Sequence, residues 1–214
     1  MRISVLGGTG YAGGHIASEA ASRGHEVVSY SRSVPDDGHD GVRYETADAR
    51  DADHRTRILD GADVVVVALS PRGDMFDALR GATADLADDA RAAGVRFGVI
   101  GGAGSFLVEA DGPAFVDTGA FQPEEAKPEA RILGGVLDDL RAADDDLDWF
   151  FVSPAPVFGS YAPGERRGTY RLGRDVIVAD EDGVSAISGA DLAIAVVDEL
   201  EQPAHRRVRF TVAY

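Results

Sequence analysis

The chain has 214 residues, of which 44% are hydrophobic, so it is long enough to bury one substantial core as a single domain. It contains no cysteine, which excludes disulfides, a thiol nucleophile and thiolate metal sites. The formal charge is −16, and because no basic stripe is present to neutralise phosphates, we expect no nucleic-acid partner.

Apolar segments alternate with amphipathic ones along most of the chain, which predicts a parallel sheet with helices on both faces. The predicted strands cover residues 3–6, 26–31, 42–46, 63–69, 96–100, 148–152 and 208–212. Between them, a helix begins at Tyr11, and apolar residues recur at helical spacing within 76–90, 132–140 and 192–200. The predicted fold is a doubly wound, mostly parallel α/β sheet, a Rossmann fold that forms one domain over residues 1–214.

An excursion is expected over about residues 155–190. Its sequence shows short extended pieces at 175–181 and 183–188 in place of a strand and helix pair. We expect this excursion to carry part of a substrate pocket.

The first strand runs into a glycine-rich turn, Gly7-Gly8-Thr9-Gly10-Tyr11-Ala12-Gly13, followed by a helical pattern. A strand that turns sharply into a helix points unpaired backbone N–H groups and the positive end of the helix dipole at one spot. Gly7 can provide the tight turn, Gly10 the close approach of a diphosphate, and Gly13 the close packing of helix on strand. The spacing G-x-x-G-x-x-G also fits an ordinary β-turn-α connection. We interpret it as a dinucleotide-binding loop.

The ligand crevice of a doubly wound sheet lies at the carboxyl ends of the strands, where the strand order reverses between the first and fourth strands. Residues that directly follow the strands are therefore candidate cofactor contacts. Beyond the glycine loop, these candidates are Ser31, Arg32, Ser33, Asp48, Ala68, Leu69, Ser70 and Gly101.

The residues after the second strand indicate which nucleotide binds. An NAD-binding fold commonly has Asp or Glu there, to bond the ribose 2′-hydroxyl, whereas this chain has Ser31-Arg32-Ser33. Arg32 can form charge-assisted bonds to a 2′-phosphate, and the two serines add hydroxyl donors. We therefore predict that NADP(H) is preferred over NAD(H), although Arg32 also fits a solvated surface position. Asp48 can accept from the adenine amino group or can serve as a turn or N-cap residue.

Four segments together carry a resemblance to a known family. They are VLGGTGYAG at 5–13, VIGGAGS at 99–105, DWFFVSP at 148–154 and RFTV at 209–212. They resemble atypical short-chain dehydrogenase/reductases, and in particular the NADH-flavin reductase group related to biliverdin reductase B and to NmrA-like proteins. The resemblance covers essentially the whole chain. It implies one NAD(P)(H)-binding Rossmann domain that acts as a flavin or tetrapyrrole reductase, or as a nucleotide sensor without turnover.

The resemblance also bears on individual residues. It implies that Ser105 lies near the nicotinamide and the substrate, where we expect a hydrogen-bond donor, not a nucleophile. It further implies that Pro154 faces the nicotinamide through backbone groups. The structural alternatives are a turn or N-cap serine and a proline that ends a strand. Phe106, Phe121, Phe158 and Tyr161 are candidates for an apolar lid, although loop aromatics also pack against their own fold.

The chain departs from most short-chain dehydrogenases because it lacks the Tyr-x-x-x-Lys pair. In that pair, the lysine lowers the tyrosine pKa so that the tyrosine can protonate a carbonyl oxygen. The only lysine, Lys127, has Pro123 four residues earlier. Reduction of an ordinary ketone is thus disfavoured. A flavin or another conjugated, planar acceptor spreads the incoming charge over many atoms and can take its proton from solvent.

The sequence therefore leaves three functional hypotheses. The favoured one is an NADPH-dependent reductase that transfers hydride to a flavin, quinone or other conjugated planar acceptor. The alternative is an NmrA-like regulatory protein that senses NADP(H) without turnover. A weaker alternative, a sugar-nucleotide epimerase or dehydratase, is disfavoured by the missing Tyr-x-x-x-Lys.

Three further expectations concern metal ions, the location of the protein and its source. The five histidines are scattered without ligand spacing, so no metal site is expected. A strand pattern begins at residue 2 and no apolar run reaches the ~18 residues of a membrane helix, so we expect a cytoplasmic protein without membrane contacts.

The chain has 20 arginines, one lysine and acidic runs such as Asp144-Asp145-Asp146. We interpret this composition as that of a halophilic, archaeal protein, although it also fits a protein that is merely acidic.

The halophilic interpretation predicts that stability depends on salt. At molar salt the Debye length shrinks to about 3 Å, so the self-repulsion of a chain with charge −16 is largely screened. The melting temperature should therefore fall as KCl is removed, and thermal unfolding over a series of KCl concentrations measures this. A melting temperature that does not respond to KCl would contradict the interpretation.

Overall fold

The computed structural model describes all residues 1–214, which form eight strands and five α-helices. The strands are β1 (Arg2–Leu6), β2 (Glu26–Ser31), β3 (Val42–Thr46), β4 (Val64–Val67), β5 (Arg96–Ile100), β6 (Trp149–Pro154), β7 (Arg171–Gly173) and β8 (Val208–Ala213). The helices are α1 (Tyr11–Ser22), α2 (Ala52–Leu59), α3 (Leu79–Ala93), α4 (Lys127–Ala142) and α5 (Gly189–Glu201).

All eight strands form one sheet in the order β3-β2-β1-β4-β5-β6-β8-β7. Neighbouring strands are parallel except β7, which pairs antiparallel with β8 at the edge. β1 pairs with β2 on one side and with β4 on the other, so the chain reverses its direction of winding between β1 and β4. The prediction of a single-domain, doubly wound, mostly parallel α/β fold is confirmed.

Helices cover both faces of the sheet. Helices α1 and α5 pack on one face in a cluster of 22 buried residues, and α2, α3 and α4 pack on the other in a cluster of 24. Because neither face of the central strands meets water, they read as continuous apolar runs, such as the four buried valines of β4. None of the helices combines the length and the apolar character needed to cross a membrane.

Helix α2 and strand β7 were not among the predicted elements. In α2 only Ile58 and Leu59 are buried, which is too few to give an apolar periodicity. The start of the helix is stabilised by the N-cap residue Asp51, whose carboxylate accepts a hydrogen bond from His54 N at 3.0 Å. Strand β7 has three residues on the sheet edge, so it lacks the alternation of a longer strand. The extended pieces expected at 175–181 and 183–188 contain only isolated bridges, through Val176 and Ala186.

The segment 155–190 is fastened to the sheet by a buried carboxylate. Asp191, in the first turn of α5, has no exposed surface. It accepts hydrogen bonds from Arg167 N and Gly168 N, both at 2.8 Å, from the Ser188 hydroxyl at 2.9 Å, and from the hydroxyl of Tyr214. One side chain thus ties the middle of the segment to α5 and to the last residue of the chain.

Asp191 makes part of the stability of the protein depend on pH. Burial alone would raise its pKa, but the hydrogen bonds from Arg167 N, Tyr214, Gly168 N and Ser188 outweigh burial and lower the pKa below its usual value. A carboxyl group whose pKa is depressed in the folded state stabilises the fold above its unfolded-state pKa, 3.8 here. That contribution is lost as the pH falls through the folded-state pKa.

We predict that Asp191→Asn lowers the free energy of unfolding at pH 7 by about 2–4 kcal/mol, because an amide cannot accept from four donors. The difference from the wild type should shrink as the pH falls below about 4, where the carboxyl group of the unfolded chain takes up a proton, and should vanish below the folded-state pKa of Asp191. Denaturant unfolding at both pH values measures this. The matched variant Asp182→Asn changes an exposed residue and should stay within about 0.5 kcal/mol of the wild type. Equal effects of the two variants would contradict the role of Asp191.

Candidate functional site

The turn between β1 and α1 has a geometry that only glycine allows at two positions. Gly7 has φ +89°, in the left-handed region, and a Cβ there would lie 2.5 Å from the carbonyl oxygen of Ala68. A Cβ on Gly13 would lie 2.3 Å from the carbonyl oxygen of Gly7. Helix α1 therefore packs directly on the backbone of the turn, and a side chain at either position would separate them.

The first turn of α1 presents free hydrogen-bond donors. The N-cap is Gly10, which has no side chain to accept from the helix amides. The N–H groups of Tyr11, Ala12 and Gly13 make no intramolecular hydrogen bond, and the first helical bond runs from Gly14 N to Gly10 O at 2.8 Å. Three amides and the positive end of the helix dipole thus converge on one place, which suits an anionic group such as a diphosphate.

A cavity of about 290 Å³ lies beside this turn, at the carboxyl ends of β1 to β4. Ten of the predicted site residues line it: Gly7, Thr9, Gly10, Ser31, Arg32, Ser33, Asp48, Ala68, Leu69 and Ser70. The Thr9 hydroxyl donates to the Ser31 hydroxyl at 3.0 Å and so joins the glycine loop to the end of β2. The structure therefore brings together candidate residues from four separate segments of the sequence.

The other predicted residues lie outside this lining. Tyr11, Ala12 and Gly13 form the adjacent turn of α1. Gly101 follows β5 and packs on the ring of Phe151, and Pro154 is the buried last residue of β6.

Five residues that line the cavity were not among the predicted site residues: Leu6, Ala47, Ala49, Arg72 and Met75. Ala47 and Ala49 flank Asp48 and are apolar, so they gave no chemical signal. Arg72 and Met75 lie farther along the chain than Ser70, the last candidate after β4. The sequence signal that could have identified these two residues is their position in the loop that follows β4, next to the predicted crevice.

Four charged side chains form a neutral cluster at the rim of the cavity. Arg32 and Arg50 both pair with Asp74. The guanidinium of Arg50 also donates to Asp48, from Nε to Oδ1 at 2.9 Å and from Nη2 to Oδ2 at 2.5 Å. The hydrogen bonds from Arg50 lower the pKa of Asp48 to about 2, and the hydrogen bond from Arg32 lowers the pKa of Asp74. All four groups are therefore charged at neutral pH.

Ser105 lies in a 3₁₀ turn after β5 and is held by a buried arginine. Arg209 Nη1, on β8, donates to both the hydroxyl and the carbonyl oxygen of Ser105 at 3.0 Å. The side chain of Arg209 is 2% exposed, and it also pairs with Asp175 and lies over the ring of Phe106. The sequence signal for this contact is an arginine inside the apolar strand pattern of β8.

The four candidate lid aromatics divide into two groups. Phe106 is fully buried, and Phe121 is 9% exposed and packs edge-to-face on Phe115, so these two follow the alternative that the sequence left open, packing against their own fold. Loop aromatics here fill the space beneath their own loop. Phe158 contacts Tyr11 with ring centroids 5.3 Å apart, and Tyr161 is 76% exposed.

Tyr11 connects the glycine loop to the segment 155–190. Its hydroxyl donates to Pro163 O at 3.1 Å and accepts from Gly189 N at 3.0 Å. The ring lies edge-on to His15 and Phe158. One side chain at the start of α1 thus fixes where this segment lies relative to the cavity.

A second cavity, of about 330 Å³, lies between α3 and α4. Ion pairs cross it, for example Arg80–Asp139 and Arg91–Asp144, and none of the predicted site residues lines it. The single lysine, Lys127, pairs with Glu124 at 2.8 Å and has no tyrosine partner. The chemistry-bearing residues therefore concentrate at the first cavity and at Ser105.

Several solved structures resemble this chain over its whole length. A structure called a putative exported protein from Burkholderia pseudomallei is 40% identical, with TM-score 0.88 and complete coverage of both chains. A putative epimerase from Bacteroides thetaiotaomicron is 34% identical, with TM-score 0.88, and covers 100% of this chain and 96% of that one. A putative NADH-flavin reductase from Streptococcus pneumoniae is 33% identical, with TM-score 0.84, and covers 100% and 99%. Because one relative is called exported, cytoplasmic localisation stays a prediction.

The model of the NAD(P)H-binding family matches residues 7–203, from the first glycine of the β1–α1 turn to the region after α5. The match includes the free amides of α1 and most of the sheet that positions them. The protein is therefore a member of the NAD(P)H-binding family.

Proposed function

We propose that the protein is an NADPH-dependent reductase of the atypical short-chain dehydrogenase/reductase group, which transfers hydride to a flavin, a quinone or another conjugated planar acceptor. The observation that carries the proposal is the set of three unpaired amides at the start of α1, beside a cavity open to the ends of four strands. The similarity to a protein named a putative NADH-flavin reductase supports the choice of reaction.

The residues of the β1–α1 turn fit a pyridine dinucleotide. The amides of Tyr11, Ala12 and Gly13 are free to bind the diphosphate, and no Cβ fits at Gly13, next to the turn. Asp48, already ionised by its contact with Arg50, is available to accept from the adenine amino group. When bound, the nicotinamide supplies the hydride.

The preference for the phosphorylated coenzyme rests on the end of β2. Arg32 lines the cavity together with Ser31 and Ser33, and no carboxylate follows β2 directly to bond a 2′-hydroxyl or repel a 2′-phosphate. A guanidinium is suited to a phosphate because its planar donors match the spacing of the phosphate oxygens.

Ser105 is the proposed hydrogen-bond donor to the acceptor. Because its oxygen accepts from Arg209, the hydroxyl hydrogen is free to donate elsewhere. No lysine is present to activate a tyrosine, so the chain has no strong proton donor of the short-chain dehydrogenase kind. This favours an acceptor that delocalises charge and takes its proton from water. Phe158 and Tyr161, in the segment 155–190, are the proposed apolar contacts of a planar acceptor.

The name of the Bacteroides relative favours a second candidate, an epimerase of the same fold. That chemistry needs the proton-transfer pair that this chain lacks, so it ranks below the reductase. A nucleotide sensor uses the same glycine loop without turnover, and the assay below separates it from the reductase.

We predict that the protein oxidises NADPH in molar KCl when FMN, a quinone or biliverdin is supplied, measured as loss of NADPH absorbance. Gly13→Ala should abolish turnover and coenzyme binding, because the added methyl group meets the carbonyl of Gly7. Gly81→Ala adds the same methyl group to α3, where nothing lies within 4 Å, and should keep full activity. Tight NADPH binding without turnover of any acceptor would favour the sensor, and failure to bind either coenzyme would overturn the proposal.

We predict that Arg32→Glu lowers the affinity for NADPH by at least about tenfold, because it replaces a charge-assisted donor with a repelling carboxylate. The affinity for NADH should change little, so the preference shifts toward NADH. Calorimetric titration with both coenzymes measures the ratio. Arg206→Glu makes the same charge change at an exposed residue beside β8 and should leave the ratio unchanged. An unchanged ratio in Arg32→Glu would remove Arg32 from the site.

A further inference from the structure

Asp74 is the point where the charged cluster at the cavity rim converges. It lies in the 3₁₀ turn Gly73–Met75 that follows β4, and its side chain is half exposed. Each of its two carboxylate oxygens pairs with a different guanidinium: Oδ1 with Arg32 Nη1, and Oδ2 with Arg50 Nη2 at 3.1 Å. The two arginines come from different strands, after β2 and after β3. The carboxylate of Asp74 therefore bridges the guanidiniums of Arg32 and Arg50 at the cavity rim.

The two arginines are not equally dependent on Asp74. Arg50 is also held by Asp48, which accepts three hydrogen bonds from the guanidinium of Arg50 and one from its backbone N–H at 3.0 Å. Arg32 pairs with no acid other than Asp74. Without Asp74, Arg50 would stay in place, Arg32 would be free, and the cluster would carry one net positive charge.

We propose that Asp74 is a specificity-determining residue, which holds Arg32 and Arg50 where a phosphate monoester would bind and which that phosphate displaces. The inference rests on the proposed function, because it takes the monoester to be the 2′-phosphate of NADP(H). Three phosphate oxygens can accept from both guanidiniums, as the two oxygens of Asp74 do. A 2′-hydroxyl carries no charge, so NAD(H) leaves both pairs of Asp74 intact.

Asp74 also competes with the ligand for which it prepares the site. A 2′-phosphate must break two exposed ion pairs before it can bind, which lowers its affinity by about fivefold. The competing carboxylate sets how strongly the two coenzymes are distinguished. It also keeps two arginines together that would otherwise repel each other.

The test uses adenosine 2′,5′-bisphosphate and AMP beside NADPH and NADH, because the first two ligands isolate the effect of the 2′-phosphate. Dissociation constants are measured by calorimetry at the lowest KCl concentration at which the wild type stays folded. Asp74→Asn should tighten binding of NADPH and of the bisphosphate by about fivefold and change NADH and AMP by less than about twofold. Arg50→Gln should weaken binding of the two 2′-phosphate ligands by about tenfold and leave the other two unchanged.

The matched control is Asp77→Asn, which removes the same charge three positions along the chain. Asp77 is exposed and has no ion-pair partner. It should change all four affinities by less than about twofold. The inference is overturned if Asp77→Asn reproduces the effect of Asp74→Asn, or if Asp74→Asn shifts NADPH and NADH equally or not at all.

These outcomes separate the inference from the proposed function. A wild type that binds neither coenzyme overturns both. A wild type that prefers NADPH, with a preference that Asp74→Asn leaves unchanged, overturns the inference alone.

Discussion

The contact between the backbone of the β1–α1 turn and helix α1 is the constraint on which the rest of the site depends. Gly13 packs on the carbonyl of Gly7, and Gly7 has a positive φ, so the helix can begin after a tight turn of four residues. This closeness leaves three amides of α1 without partners and aims them at the edge of the sheet where the winding reverses. Anion binding is then a property of the backbone and needs no cationic side chain.

That arrangement explains how a chain with charge −16 can bind an anionic coenzyme. In the proposed mode of binding, the diphosphate meets backbone dipoles, while Arg32 and Arg50 lie at the rim, where both pair with Asp74. The overall charge acts at long range and is screened by salt, whereas these contacts act at about 3 Å. Local geometry, not net charge, therefore decides which ligand the site accepts.

The segment 155–190, which we propose to contact the acceptor, is coupled to the same turn. Tyr11 follows the glycine loop directly and bonds to Pro163 and Gly189, while Asp191 fastens the segment 155–190 to the end of the chain. Arg209, on β8, holds Ser105 through two hydrogen bonds. The proposed acceptor pocket thus lies between parts that are each tied to the sheet, which suits a reaction that depends on positioning.

The sequence by itself determined the elements whose signal is local. Unbroken apolar runs identified the central strands, the glycine spacing identified the turn, and residues after the strands identified ten of the cavity residues, because strand ends in a doubly wound sheet meet at one edge. The sequence did not predict helix α2 or strand β7, because a short or polar element carries no periodicity. Nor did it decide that Phe106 is buried, because a loop residue belongs to no repeating pattern. Only the tertiary structure decided which charges pair. Arg32 and Asp74 are 42 residues apart, and Arg209 and Ser105 are 104 apart, so their contacts exist only once the sheet has assembled.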